Sequence, residues 1–199
     1  MGRERDARPE AKPLRLFIAV DVPTAVSASL ASAVAPYRHR IPGGRWTNAG
    51  GWHITLKFLG ATWPRLVDGV RAAVVEAART AGGFETALTQ IGVFPSSRRA
   101  RVVWAGLSDP EHRFSRLAGD LDRILKEDFE PDRRSLTPHL TLARLSSPRD
   151  LAEFAGDLVG KSVASEPFRV EELVLYRSHL SPKGATYEPL LRAPFGAGS

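Results

Sequence analysis

The chain uses one unusual phrase twice: "HITLKFLG" at residues 53–60 and "HLTLARL" at residues 139–145. In each, a histidine is followed two places later by a threonine and then by a leucine, and the second copy starts 86 residues after the first. Both stretches are short and apolar enough for buried strands. Side chains of a strand alternate between faces, so His53 and Thr55 point one way while Ile54 and Leu56 point the other. His139 and Thr141 likewise oppose Leu140 and Leu142. A single strand of this kind reads as a satisfied histidine at a sheet edge. Two copies in one frame, in a chain with only five histidines, favour a shared chemical task.

The repetition extends outward from these strands. From Arg15 the order is a strand (RLFIAV), a turn (DVP), a helical stretch (24–40), the first His strand, a second helical stretch (64–82) and a strand (84–94). From Arg101 it is RVVWAGL, the turn SDP, a helical stretch (112–129), the second His strand, a helical stretch (147–160) and FRVEELVLY. Arg15 and Arg101 are 86 residues apart and Phe84 and Phe168 are 84 apart, so the register holds along the whole unit. The helices rest on apolar spacing such as Leu117, Leu121, Ile124 and Leu125. Pro64 and Pro148 are expected in first helical turns, where a missing N–H is harmless. The expected architecture is α+β. One domain, 14–192, contains repeat halves at about 15–94 and 101–178, which form two pseudo-symmetric lobes. Each lobe is an antiparallel-type sheet with two helices, and the lobes flank a central cleft. Residues 1–13 read as a flexible basic arm and 193–199 as a flexible tail.

A length of 199 residues suits such a domain, and 43% hydrophobic with 25% charged residues is ordinary for a globular chain. There is no cysteine, which excludes disulfides, thiolate metal sites and cysteine nucleophiles. No apolar run approaches the roughly 18 residues that would span a bilayer, and the first residues lack a signal-peptide core. The expectation is therefore a cytoplasmic protein with no membrane partner. A net charge of +6 and a pI near 10.1 favour an anionic partner such as nucleic acid. Arg98, Arg99 and Arg101, with Arg133 and Arg134, cluster beside the strands of interest.

Two imidazoles on one small anionic group suit general acid–base chemistry, one neutral and one protonated. Threonine hydroxyls and an arginine can hold non-bridging phosphate oxygens as charge develops. A metal site fits less well, because the two His–x–Thr units contain no carboxylate, His–x–His or HExxH. G-x-S-x-G, Walker-type and G-x-G-x-x-G motifs are absent.

Paired H-x-T motifs in a duplicated chain resemble the 2H phosphoesterase superfamily, and further stretches resemble its RNA 2',3'-cyclic phosphodiesterase branch, the 2'-5' RNA ligase family. Those stretches are "RLFIAVDVP" at 15–23, "RW" at 45–46, "HITLKFLG" at 53–60 and "FP" at 94–95. They continue with "RVVWAGL" at 101–107, "TPHLTLAR" at 137–144 and "LYRSHLSPKGATYEPL" at 175–190. The resemblance covers about residues 14–192, with "TNAGGWH" before the first histidine as a Gly-rich departure. It implies hydrolysis of RNA 2',3'-cyclic phosphate ends to 2'-phosphomonoesters without metal or cofactor; a monomer is expected separately, because two fused lobes need no partner to complete the cleft. Fragments of tRNA are one candidate substrate. Carried over by residue, it implies His53 as proton donor and His139 as proton acceptor, with Thr55, Thr141 and Arg144 on the phosphate. Arg144 is five residues from His139, so only a twist or bulge would bring it to the His face.

Trp46 and Trp52 are candidates to stack on a base or to cover the lobe junction. Phe58 is assigned to the His side of its strand or to the hinge core, and Tyr187 to packing. His39, His112 and His179 are expected at the surface. Two alternatives stand beside hydrolysis. One is a ligase or phosphodiesterase acting on other cyclic or 2'-5' linked nucleotides. The other is a non-catalytic RNA-binding module.

Overall fold

A computed structural model of the protein describes residues 12–182 and 184–196. The first repeat runs β1 (Leu14–Asp21), α1 (Thr24–Val34), β2 (Gly44–Trp46), β3 (His53–Thr62), α2 (Val67–Thr80), β4 (Phe84–Thr86) and β5 (Leu88–Phe94). The second runs β6 (Ala100–Leu107), α3 (Arg113–Ile124), β7 (His139–Arg149), α4 (Ala152–Ala155), β8 (Phe168–Val170) and β9 (Glu172–Ser181). A closing strand follows, β10 (Gly184–Pro194). Every strand pair is antiparallel, and the main sheet has the order β10-β9-β1-β3-β7-β6-β5 with β2 added on β7. The architecture is α+β, as the repeats require.

The duplication is visible as self-pairing. Ile54 and Leu140, equivalent in the two copies, are Cα partners where β3 meets β7. Glu85 and Arg169, also equivalent, are partners in the small β4–β8 sheet, flanked by Phe84↔Val170 and Thr86↔Phe168. A pseudo-two-fold axis therefore runs between these two points, since only residues near such an axis can meet their own equivalents.

Sequence halves and spatial halves differ in one respect. β5, the last strand of the first copy, pairs with β6, and β9 of the second copy pairs with β1. Each lobe thus holds four strands, β1 and β3 with β9 and β10 in one and β6 and β7 with β5 and β2 in the other, two of them from outside its own half of the sequence. The helices follow suit: α2 and α3, from different copies, pack together behind β3, β9 and β10. Beyond α1, Tyr37 donates to Asp157 at 2.7 Å and Arg40 donates to Asp157 and to the Phe154 carbonyl, tying that end to α4. An exchanged strand satisfies its ladder in the other lobe, so each lobe is completed by chain from the other half of the sequence.

Three expectations are corrected. The stretch 147–160 is not a long helix: β7 runs on to Arg149, so Pro148 sits in a strand end and α4 is one turn. Pro148 lacks an N–H and needs no ladder bond at that position. The tail is ordered through residue 196, because β10 pairs with β9 as far as Pro194. Ala193 is buried, and Phe195 packs on the core and on Phe84. Residues 197–199 lie outside the described residues, as does most of the 1–13 arm.

Candidate active site

His53, Thr55, His139 and Thr141 alternate with the axial pair Ile54 and Leu140, so all four lie on one face of the joined strands β3 and β7. Ile54 and Leu140 are fully buried on the other face. The two imidazoles are held alike. His53 Nδ1 lies 2.8 Å from the Gly51 carbonyl and His139 Nδ1 lies 2.6 Å from the Thr137 carbonyl, in both cases two residues back. A carbonyl only accepts, so each Nδ1 carries the proton and each Nε2 is left for chemistry. Among the described residues, neither threonine hydroxyl has a protein partner.

The Gly-rich departure turns out to build this anchor. Asn48 accepts from the Gly50 N–H at 3.1 Å and closes a tight turn, which presents the Gly51 carbonyl to His53. The turn passes the Tyr187 ring, which a Cβ at Gly51 would meet at 3.4 Å, an ordinary contact distance. The second copy reaches the same anchor with Thr137-Pro138, showing that the carbonyl matters and not the loop that carries it.

Strict alternation fails immediately after the threonines, and identically in both copies. β3 has an extra residue at Leu56 against β1, and β7 has one at Leu142 against β6. Leu56 and Lys57 are consequently both buried, as are Leu142 and Ala143. These β-bulges flip the parity that follows. Phe58 and its equivalent, Arg144, therefore return to the histidine face, and both are exposed. The bulge expected for Arg144 is present.

Specific contacts hold each bulge. Lys57, 4% exposed, donates to Asp122 of α3 and to the Glu130 carbonyl at 3.0 Å. In β7, Thr47 donates its hydroxyl to the carbonyls of Thr141 (2.8 Å) and Leu142 (2.9 Å), and its N–H bonds Leu142. Trp52 Nε1 donates to the same hydroxyl at 2.7 Å. Trp52 is 5% exposed and committed to this bond, so it is a structural residue and offers no face to a base. Trp46 is half-buried against the core, with Arg38 over its ring. The register pairs its neighbour Arg45 with Arg144 across β2 and β7.

Aromatic rings wall both histidines. Phe17 lies 4.7 Å from the His53 ring, and Tyr187 meets it edge-on at 4.8 Å. Phe94 meets His139 edge-on at 5.2 Å, and Trp104 lies 6.1 Å away. Tyr187 packs as expected, but against the imidazole. Trp104 is seated by Gly92 across the strand pair, where any side chain would overlap the indole. Phe17, Phe94, Trp104 and Gly92 carry no local signal in the sequence that would place them beside a histidine. Strand pairing alone brings them there.

Burial is the leading cause that pushes both imidazoles below their ordinary value; the carbonyl bonds raise them in part. The Arg144 charge lowers both, and His139 further lowers His53. Asp21 raises His53 alone. His39 and His112 are exposed, and His179 is taken up by Glu188 at 2.8 Å. Arg98, Arg99, Arg101, Arg133 and Arg134 are exposed. No group of three or more His, Asp or Glu side chains gathers as a metal site among the described residues, and no described helix is long and apolar enough to cross a membrane.

Comparison with known proteins agrees with this geometry. The family model described as the 2'-5' RNA ligase superfamily matches residues 24–182. An RNA 2',3'-cyclic phosphodiesterase of Methanothermobacter thermautotrophicus is 40% identical over 139 residues, covering 68% of this chain and 73% of that protein. One of Geobacillus stearothermophilus is 31% identical over 186 residues, 90% of this chain and 58% of that protein. Among solved structures, one from Thermus thermophilus superposes with a TM-score of 0.80 at 28% identity, covering 94% of this chain and 100% of that one. Escherichia coli LigT complexed with 3'-AMP gives 0.72 at 26% identity, with 92% and 98% covered. With its matched family model, its duplicated fold and its two H-x-T strands, this chain belongs to the 2'-5' RNA ligase superfamily of 2H phosphoesterases.

Proposed function

We propose that the protein hydrolyses RNA 2',3'-cyclic phosphate ends to 2'-phosphomonoesters, with His53 as general acid and His139 as general base. The observation that carries this reading is the mirrored anchoring of the imidazoles, each with Nδ1 on a carbonyl and Nε2 toward one face. In the proposed step, His139 Nε2 takes a proton from water as its oxygen bonds to phosphorus. The P–O3' bond breaks, and His53 Nε2–H delivers its proton to the 3' oxygen. The products are a 3'-hydroxyl and a 2'-phosphate, and the two histidines end with exchanged protonation. Thr55, Thr141 and Arg144 supply donors to the non-bridging oxygens, whose charge grows in the transition state. The proton inventory closes without a metal ion. The relatives named RNA 2',3'-cyclic phosphodiesterase support the substrate class.

The test is end-group analysis of an RNA bearing a 2',3'-cyclic phosphate, with and without excess EDTA. A 2'-phosphate product in both samples is expected. A 3'-phosphate would mean that the other ester bond breaks. A joined 2'-5' product would favour ligation, and recovery of unchanged RNA at every enzyme concentration would favour a binding module. Loss of activity in EDTA, restored by added metal, would overturn the metal-independent mechanism.

A further inference from the structure

Beyond the exchange of Phe58 for Arg144 after the bulges, the two halves of the site differ where β1 and β6 pass the histidines. The register sets Asp21 opposite His53 and Gly106 opposite His139. We infer that Asp21 is the positioning residue that breaks the pseudo-symmetry, and that it assigns the proton-donor role to His53 by holding a fixed negative charge beside that ring. This rests on the two-histidine reaction proposed above and decides which histidine does which task.

The carboxylate is locked in place. Tyr176 of β9 donates its hydroxyl to Asp21 Oδ1 at 2.6 Å, and Arg192 of β10 pairs with Oδ2 at 2.9 Å. Arg192 is itself held by Glu172. Burial and the bond to Asp21 push the Tyr176 phenol well above its usual value, so it remains a donor. Tyr176 also stacks on Phe17, which touches the His53 ring. Both oxygens of Asp21 are therefore engaged by donors from two strands, and its charge cannot swing away. The other half has no counterpart at this position and no room for one. A Cβ at Gly106 would stand 2.9 Å from the Thr89 hydroxyl and 3.1 Å from the Trp104 ring. The contrast is therefore built into the packing on both sides.

Burial sets the overall direction at both rings, so Asp21 acts on the difference between them. From β7, Arg144 and His139 disfavour its charged form, and from β10, Tyr187 meets the ring edge-on without a charge. Among the described residues, Asp21 is the acidic group that acts on His53, and none acts on His139. Nearby negative charge favours an imidazolium. Of the two rings, His53 is then the one that enters the reaction protonated.

The experiment combines two readouts on the full chain and its Asp21→Asn variant, which keeps the side-chain size. In the first, histidine ring protons are titrated by NMR without substrate. Asp21→Asn is expected to lower the His53 midpoint by about one pH unit and leave His139 unchanged. In the second, kcat/KM on a cyclic-phosphate RNA is followed against pH. The alkaline limb, where the acid loses its proton, is expected to move to lower pH by the same amount, with the acidic limb fixed. Tyr176→Phe should shift both readouts in the same direction but less, which covers the case in which Asp21→Asn fails to fold. An unchanged His53 midpoint in the variants would reduce Asp21 to a structural role and overturn the inference. Movement of the acidic limb instead would make His53 the base and overturn it too. If no cyclic phosphate is cleaved at any pH, the proposed reaction falls, while the NMR titration still decides whether Asp21 governs His53.

Discussion

Thr47 offers a test of how the site is held. Its hydroxyl donates to the Thr141 and Leu142 carbonyls at the β7 bulge and accepts from the buried Trp52 indole. Thr47→Val keeps the shape and removes the oxygen. The donated bond is worth about 1 kcal/mol, and an unsatisfied buried N–H on Trp52 costs about 1–3 kcal/mol more, so the loss should be about 2–4 kcal/mol. For a chain of this length each kcal/mol lowers Tm by about 2–4 °C, which gives a fall of about 5–15 °C. The same change frees the bulge that turns Arg144 toward the histidines. A displacement of about 1 Å there costs up to about a hundredfold in kcat/KM. The assay is thermal denaturation beside steady-state kinetics, with Trp52→Phe and the double variant completing a cycle. The two single losses should together exceed the double loss, because they share one hydrogen bond. A Thr47→Val protein that melts within about 1 °C of the parent and keeps its kcat/KM would refute the anchoring argument.

Replacing His53 or His139 by alanine should lower turnover about a hundredfold or more with RNA binding largely retained, and the double variant should lose less than the product of the two; near-normal turnover in either single variant would end the two-histidine mechanism. Lys57→Met should destabilise the fold by about 3–5 kcal/mol in urea denaturation, because it strands Asp122 without its buried cation. Burial holds both site histidines below their ordinary value, so the unfolded chain binds protons first as pH falls. Their contribution to stability should be complete above about pH 6.5 and decline below it; urea midpoints at pH 8 and pH 5.5 should differ less in a His53→Ala, His139→Ala double variant than in the parent. RNA affinity of that double variant should fall with rising salt, since exposed arginines such as Arg45 and Arg144 would grip phosphates; a flat salt response would show that the +6 charge plays no part in binding.

Much of the site is written locally. His53 with Thr55 and His139 with Thr141 share faces because alternation is a property of any strand, whatever its neighbours. The repeat offsets foretell the axis that joins Ile54 to Leu140 and Glu85 to Arg169. Less legible were the segments whose state depends on a distant partner. Ser147-Pro148-Arg149 looks like a helix start but ends a strand, because Arg149 pairs with Ala100. The small and polar residues near the C-terminus look like a tail, yet β10 is kept by its ladder with β9. Trp52 looks available to a base until Thr47 claims its indole.

By itself, then, the sequence determined the duplication, the antiparallel α+β plan and the four residues that alternate onto the reactive face. Tertiary structure decided the rest of the constellation. It exchanged β5 and β9 between the lobes, placed bulges at Leu56 and Leu142, and so returned Phe58 and Arg144 to that face. It also set Asp21 beside one histidine and Gly106 beside the other. The physical reason is range. Alternation follows from the geometry of a single strand, whereas a bulge or a charge beside a ring exists only once partners far along the chain, such as Thr47, Asp122, Tyr176 and Arg192, have been brought up to hold it.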